Sequence, residues 1–136
     1  MGNYETLNEL LVTLFRDVMD IEQKVIITPE FKDITNNDMH VIEAIGIGEP
    51  KNMSSIAKEL SVTVGTLTIA MNSLVKKGYV KRERGEEDRR VVYISLSDKG
   101  KKAFIHHARF HKEMITSILD EFDEDEKKIL IRGLTK

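Results

Sequence analysis

The stretch from Met53 to Ser95 changes its hydrophobic period part-way, and few folds accommodate the order in which it does so. Met53, Ile56, Ala57 and Leu60 recur every three or four residues, which gathers them on one face of a short helix. Ser61 and Val62 read as a turn, and Thr63 offers a side-chain oxygen to cap a second helix over residues 64–77. Gly78 ends that helix with a residue suited to left-handed backbone. A strand from Tyr79 to Arg84, a charged tip over 85–90 and a returning strand from Val91 to Leu96 then form a hairpin. Helix, tight turn, helix and hairpin are the sequence form of a helix-turn-helix with a wing.

Phasing the second helix at about 100° per residue divides its surface. Val64, Leu67, Met71, Leu74 and Val75 fall in one arc, the expected core face. Gly65, Thr66, Ile69, Asn72, Ser73 and Lys76 occupy the opposite arc, with Thr68 at its margin. Small polar residues near the start of a helix let it enter a major groove without collision. There Asn72 can read adenine through both ends of its amide, while Thr66 and Thr68 can bond phosphate or meet a thymine methyl. Ile69 has two accounts: contact with a thymine methyl, or packing on a neighbouring helix. On the hairpin, arginines at 82, 84, 89 and 90 suit a narrow A·T minor groove, where negative potential is deepest. Asp88 is placed to pair with Arg90 and aim it; at under about 1 kcal/mol, such a surface pair orients more than it stabilises.

Charge supports this reading once its distribution is considered. The chain of 136 residues carries a net charge of −2, yet residues 1–60 hold five Lys/Arg against eleven Asp/Glu. Residues 76–102 hold ten basic residues against five acidic ones, which localises attraction for phosphate to one surface. The absence of cysteine excludes disulfides, thiolate metal sites and cysteine redox sensing. No run approaches the roughly 18 apolar residues of a membrane span, and no basic-plus-apolar leader is visible, so the expectation is a cytoplasmic protein. An enzyme is not expected. Gly46-Ile47-Gly48-Glu49-Pro50 lacks the GKS/GKT ending and preceding strand of a phosphate loop, and Asp123 to Glu126 read as a solvated helix start.

The flanks are helical. A helix over 4–26 follows a cap at Asn3, a loop from Ile27 to Ile34 contains Pro29, and Thr35 with Asp38 begins a helix through Ile45. Ser97 caps a long helix reaching Asp120, and Asp123 with Glu126 starts a last one. The first helix and the long helix after Ser97 carry apolar residues beyond a single stripe, so the two ends are expected to pack on their own domain and on a second subunit. The expected fold is mainly α with a small β wing. Residues 1–136 form one domain, with 1–34 and 98–136 as dimerisation helices and 35–97 as the DNA-binding region.

Ser54-Ser55-Ile56-Ala57-Lys58-Glu59-Leu60, Leu74-Val75-Lys76-Lys77-Gly78-Tyr79-Val80, Glu87-Asp88-Arg89-Arg90 and Leu96-Ser97-Asp98-Lys99-Gly100 together resemble the MarR family. The resemblance covers essentially the whole chain and implies a homodimeric winged helix-turn-helix repressor. Phe31-Lys32-Asp33-Ile34, Val62-Thr63-Val64-Gly65-Thr66 and Arg109-Phe110-His111-Lys112 are most similar to its FabT branch, repressors of fatty-acid synthesis genes. That branch implies an A/T-rich palindromic operator and long-chain acyl-acyl carrier protein as corepressor. The last helix looks one or two turns shorter than the family expects.

On this reading Thr66, Ile69 and Asn72 face bases, and Thr63, Thr68 and Lys76 hold the backbone. Arg84, Asp88, Arg89 and Arg90 act at the wing. An apolar ligand pocket is assigned to Leu11, Phe15, His40, Phe104, His107, His111 and Ile115, with no metal and no cofactor. Two alternatives remain. The family includes zinc-sensing repressors, and Glu22, His40, His107 and His111 lie at compatible positions; control by zinc or by a small aromatic or lipophilic ligand is therefore one. The other is an interaction module that does not bind DNA, which salt dependence would separate from a repressor.

Overall fold

The helix boundaries follow from the side chains that cap them. In the computed structural model, which describes residues 2–26, 28 and 30–136, Thr35 and Asp38 close a full capping box at the start of α2 (Asn36–Ile45). Asn52 accepts from the Ser55 N–H ahead of α3 (Met53–Leu60), and Thr63 accepts from the Thr66 N–H ahead of α4 (Val64–Lys77). Ser97 does the same through Gly100 for α5 (Asp98–Asp120), and Asp123 through Glu126 for α6 (Glu124–Leu134). The first helix is the exception. α1 runs Asn3–Ile26, so Asn3 is its first helical residue and not its cap; the Gly2 carbonyl accepts from the Thr6 N–H there.

Among the described residues three strands complete the fold: β1 (Lys51–Asn52), β2 (Val80–Arg84) and β3 (Val92–Leu96), antiparallel in the order β1-β3-β2. β2 begins at Val80, because the Tyr79 N–H is drawn back to the Leu74 carbonyl at the helix end. β3 begins at Val92, because the Val91 N–H closes the tip turn onto the Asp88 carbonyl. β1 was not expected. It pairs Lys51 with Ile94 and Asn52 with Tyr93, giving the wing a third strand.

The core lies where α2, α3, α4 and β3 meet the start of α5. Ile42, Ile45, Ile56, Leu67, Met71, Leu74, Tyr79 and Ile94 are essentially inaccessible. Phe31 and Ile34, in the segment expected to be only a loop, join this core, while Ile27 and Pro29 of that segment lie outside the described residues. Val64 departs from the expected core face and is 45% exposed. It lines an open cleft of about 470 Å³ between the starts of α3 and α4 and the wing, with Ser54, Thr68 and Arg90. Among the described residues, no helix is long and apolar enough to cross a membrane.

One joint fixes α4 against the start of α5. Gly78 takes the left-handed φ of +89° that ends α4. The Ser97 hydroxyl donates to the Gly78 carbonyl at 2.5 Å, and the Ser97 N–H donates to the Tyr79 carbonyl at 2.9 Å. At Gly100 a Cβ would stand 2.1 Å from the Tyr79 carbonyl oxygen, so only glycine permits the approach. Behind the joint, Lys77 pairs with the buried Asp38 at 2.8 Å, tying the end of α4 to the start of α2.

Outside this centre, α1 and α6 keep their apolar side chains exposed: Leu7, Leu10, Leu14, Phe15 and Met19 on one, Ile129, Ile131 and Leu134 on the other. Each of these helices thus carries several large apolar side chains in the open, and not single scattered ones.

Candidate functional site

On α4 the outer face is built as a row. Thr66, Ile69, Asn72 and Lys76 are all exposed, Ile69 by 75%, so Ile69 packs on no helix of its own chain. Two threonines are partly spent on the helix itself. The Thr63 hydroxyl donates to the Thr66 hydroxyl at 2.9 Å while capping the helix, and the Thr68 hydroxyl donates to the Val64 carbonyl at 2.8 Å. Thr68 is half-buried, which confirms it as a margin residue of the exposed arc. Asn72 has a partner that the sequence did not reveal: Arg82 of β2 donates through Nη1 to its Oδ1 at 2.5 Å.

The wing tip is closed by its own backbone. The Gly85 N–H donates to the Val91 carbonyl at 2.8 Å, and Arg84 donates to the Arg89 carbonyl at 2.9 Å. Arg84 thus braces the tip as well as carrying charge. Asp88 accepts from Nε and Nη2 of Arg90, each at 3.1 Å, and from the Arg90 backbone N–H at 3.0 Å. These bonds hold the Asp88 carboxyl below its usual range and push the Arg90 guanidinium up. The Arg90 side chain remains 91% exposed, a cation fixed in direction but free at its outer edge.

Reading helix and wing together expose two kinds of contact: short polar and apolar side chains on α4 and arginines on the hairpin. This is the arrangement that reads base edges in a major groove and backbone beside it. Streptococcus pneumoniae FabT in complex with DNA superposes with a TM-score of 0.91 at 41% identity, covering 98% of this chain and 93% of that one. A family model described as transcriptional regulator SarA/Rot matches residues 24–106.

The chain belongs to the MarR family of winged-helix regulators.

Among relatives by sequence, the regulator SarZ of Staphylococcus haemolyticus is 31% identical over 129 residues, 93% of this chain and 85% of that protein. The regulator PchR of Bacillus subtilis is 28% identical over 99 residues, and the match spans only 59% of its length. This member of the family is therefore a transcriptional regulator with a DNA-binding fold, and not an enzyme.

The expected pocket residues do not come together as one set. Leu11, Phe15 and Ile115 are 48%, 66% and 49% exposed, so they line no closed tunnel within a single chain. Phe104 packs partly against the core. His107 is buried on α5, and its Nε2 lies 2.7 Å from that of His111 and 3.3 Å from Oε1 of Glu22 on α1. Glu43 of α2 also contacts the His107 Nε2, a residue that sequence reasoning missed. His40 stands apart, with its Nδ1 4.0 Å from Glu43. Burial pushes the His107 imidazole down, against the opposing pull of the Glu43 carboxylate. Its Nδ1 finds no partner among the described residues, so a second proton there would be a buried, unpaired donor.

Proposed function

We propose that the protein is a homodimeric repressor of fatty-acid synthesis genes that binds an A/T-rich palindrome, with long-chain acyl-acyl carrier protein as corepressor. The likeness to the FabT–DNA complex over almost the whole chain, at 41% identity, carries this reading. The exposed apolar faces of α1 and α6 favour a second copy as their cover. Two α4 helices then enter successive major grooves about 34 Å apart, with the wings over the flanking minor grooves.

In the dimer, Leu11, Phe15 and Ile115 would gain the apolar cover that one chain does not give them, beside Phe104 and the histidine cluster. Acyl chains entering there would select the subunit spacing that fits the operator, and the operator would in turn strengthen corepressor binding by the same factor. A mobility-shift titration on a duplex bearing such a palindrome tests this, with long-chain acyl-acyl carrier protein and the unacylated carrier compared. Affinity should rise about tenfold or more only with the acylated form, a coupling of roughly 1.4 kcal/mol. Unchanged affinity sinks the corepressor assignment and leaves DNA binding standing.

A second reading is favoured by one observation. Nε2 of His107, Nε2 of His111 and a carboxylate oxygen of Glu22 lie within 4.8 Å of one another. Two imidazole nitrogens 2.7 Å apart need a proton between them, and the same His107 nitrogen also faces Glu43. A divalent cation would satisfy these atoms together, with Glu22, His107 and His111 as ligands and Glu43 beside them. Zinc titration by calorimetry decides: no heat, no bound metal and unaltered operator affinity would remove it.

A further inference from the structure

We infer that Arg82 is a positioning residue for base recognition: it holds Asn72 of α4 in one amide orientation and so sets what that side chain reads. This rests on the DNA-binding reading of the fold and extends it to a residue outside the exposed row on α4.

A guanidinium carries donors only. Asn72 must therefore turn its oxygen, and not its nitrogen, towards the Arg82 Nη1 that meets it at 2.5 Å. Left alone, an exposed asparagine on a helix samples several rotamers and both amide faces. Here one face is chosen before any DNA arrives, and both N–H groups of Nδ2 point away from the arginine. The bond also bridges two elements: Arg82 lies opposite Ile94 in the wing sheet, whereas Asn72 lies on the reading helix one turn beyond the exposed Ile69.

Chemistry narrows what such an amide selects. A preset Nδ2 donor suits major-groove acceptors, which adenine, guanine and thymine offer and the cytosine amino group does not. The remaining lone pair of Oδ1 is available for the adenine amino group, so an adenine contact through both ends of the amide is compatible with the clamp. Arg82 keeps further N–H groups outside the bond. A plain phosphate contact is thus the rival role, and it predicts a different outcome.

The test uses the full-length protein. Wild type first selects duplexes from a randomised pool, and the recovered duplex with its single-base-pair variants becomes the probe set. If wild type selects no sequence, the DNA reading itself fails, and that failure is distinct from the one below. Arg82→Ala, Asn72→Ala and the double variant are then measured on the set at several salt concentrations, with thermal melting as a folding check. Positioning predicts that R82A loses discrimination, on the order of tenfold, at the same base pair where N72A loses it, and that the double variant loses no more. A uniform loss on every duplex, with a smaller salt slope and intact preference at the Asn72 base pair, would make Arg82 a phosphate contact and overturn the proposal. Unchanged preference at unchanged affinity would overturn it equally.

Discussion

The hydroxyl of Tyr79 donates a 2.6 Å hydrogen bond to the carboxylate of Asp33, joining residues 46 positions apart in sequence. The tyrosine ring is fully buried beneath Phe31, and the ammonium of Lys99 lies 4.4 Å from its centre. The segment leading into α2 is thereby fastened to the second residue after the reading helix.

The bond predicts a stability plateau. Donation by Tyr79 holds the Asp33 carboxyl below its usual value, while burial and the bond to Asp33 push the phenol above its own. A depressed carboxyl contributes stability that is present above its unfolded pKa of about 4 and is lost as pH falls through the folded one. A raised phenol contributes stability that is fully present below about 10 and is lost as pH climbs beyond. Tyr79→Phe should cost about 1 kcal/mol by urea denaturation between those limits, with the difference from wild type shrinking outside them. A difference independent of pH would contradict the assignment.

At the neighbouring joint, Gly100→Ala should destabilise by about 1–3 kcal/mol, because the new methyl meets a backbone carbonyl and not a yielding side-chain tip. Gly48→Ala, where a Cβ meets nothing within 4 Å, serves as the control. Equal melting temperatures for the two variants would show that the joint is looser than described.

For the wing, Arg90→Ala should weaken binding about tenfold on duplexes with A·T flanks and distinctly less on G·C flanks. Asp88→Asn should lie between wild type and R90A on the A·T set, since it frees the guanidinium without removing it. Its melting temperature should match that of wild type, as the pair is exposed. Equal losses on both flank types would argue against minor-groove reading.

Ile69→Ala separates surface from core. With Ile69 75% exposed, its truncation should leave the unfolding free energy within about 0.5 kcal/mol of wild type while operator affinity falls. Lost stability with retained affinity would mean that the side chain packs on protein.

Much of this fold is legible along the chain because its punctuation is local. Thr35, Asn52, Thr63, Ser97 and Asp123 each cap a helix through the N–H three residues on, and Gly78 needs only its own backbone. What escaped is non-local. β1 has two residues and no period; its strand character comes from Ile94 and Tyr93 across the sheet. Phe31 and Ile34 look like loop residues until the core receives them. Val64 sits at the core phase of its helix, but a cleft opens beside it.

The site divides in the same way. The outer face of α4 follows from helical phase, and the Asp88–Arg90 pair from adjacency. The engagement of Asn72 by Arg82 and the meeting of Glu22, Glu43 and His107 depend on how separate elements pack. The family resemblance placed His40 with the histidines of α5; packing puts Glu43 there, one helical turn further along α2.

The stitch between Ser97 and the Gly78–Tyr79 carbonyls has a mechanical corollary. α5 starts at that point and α4 ends there, so a swing of the one would bear on the other as two arms about a fulcrum. With 23 residues at about 1.5 Å each, the long arm measures roughly 34 Å. A swing of about 5° moves its far tip by roughly 3 Å, the width of a single methylene or so, and turns the short arm through whatever share of that angle the stitch transmits. A wedge one side chain thick at the far end would then turn α4 by that transmitted share of the angle.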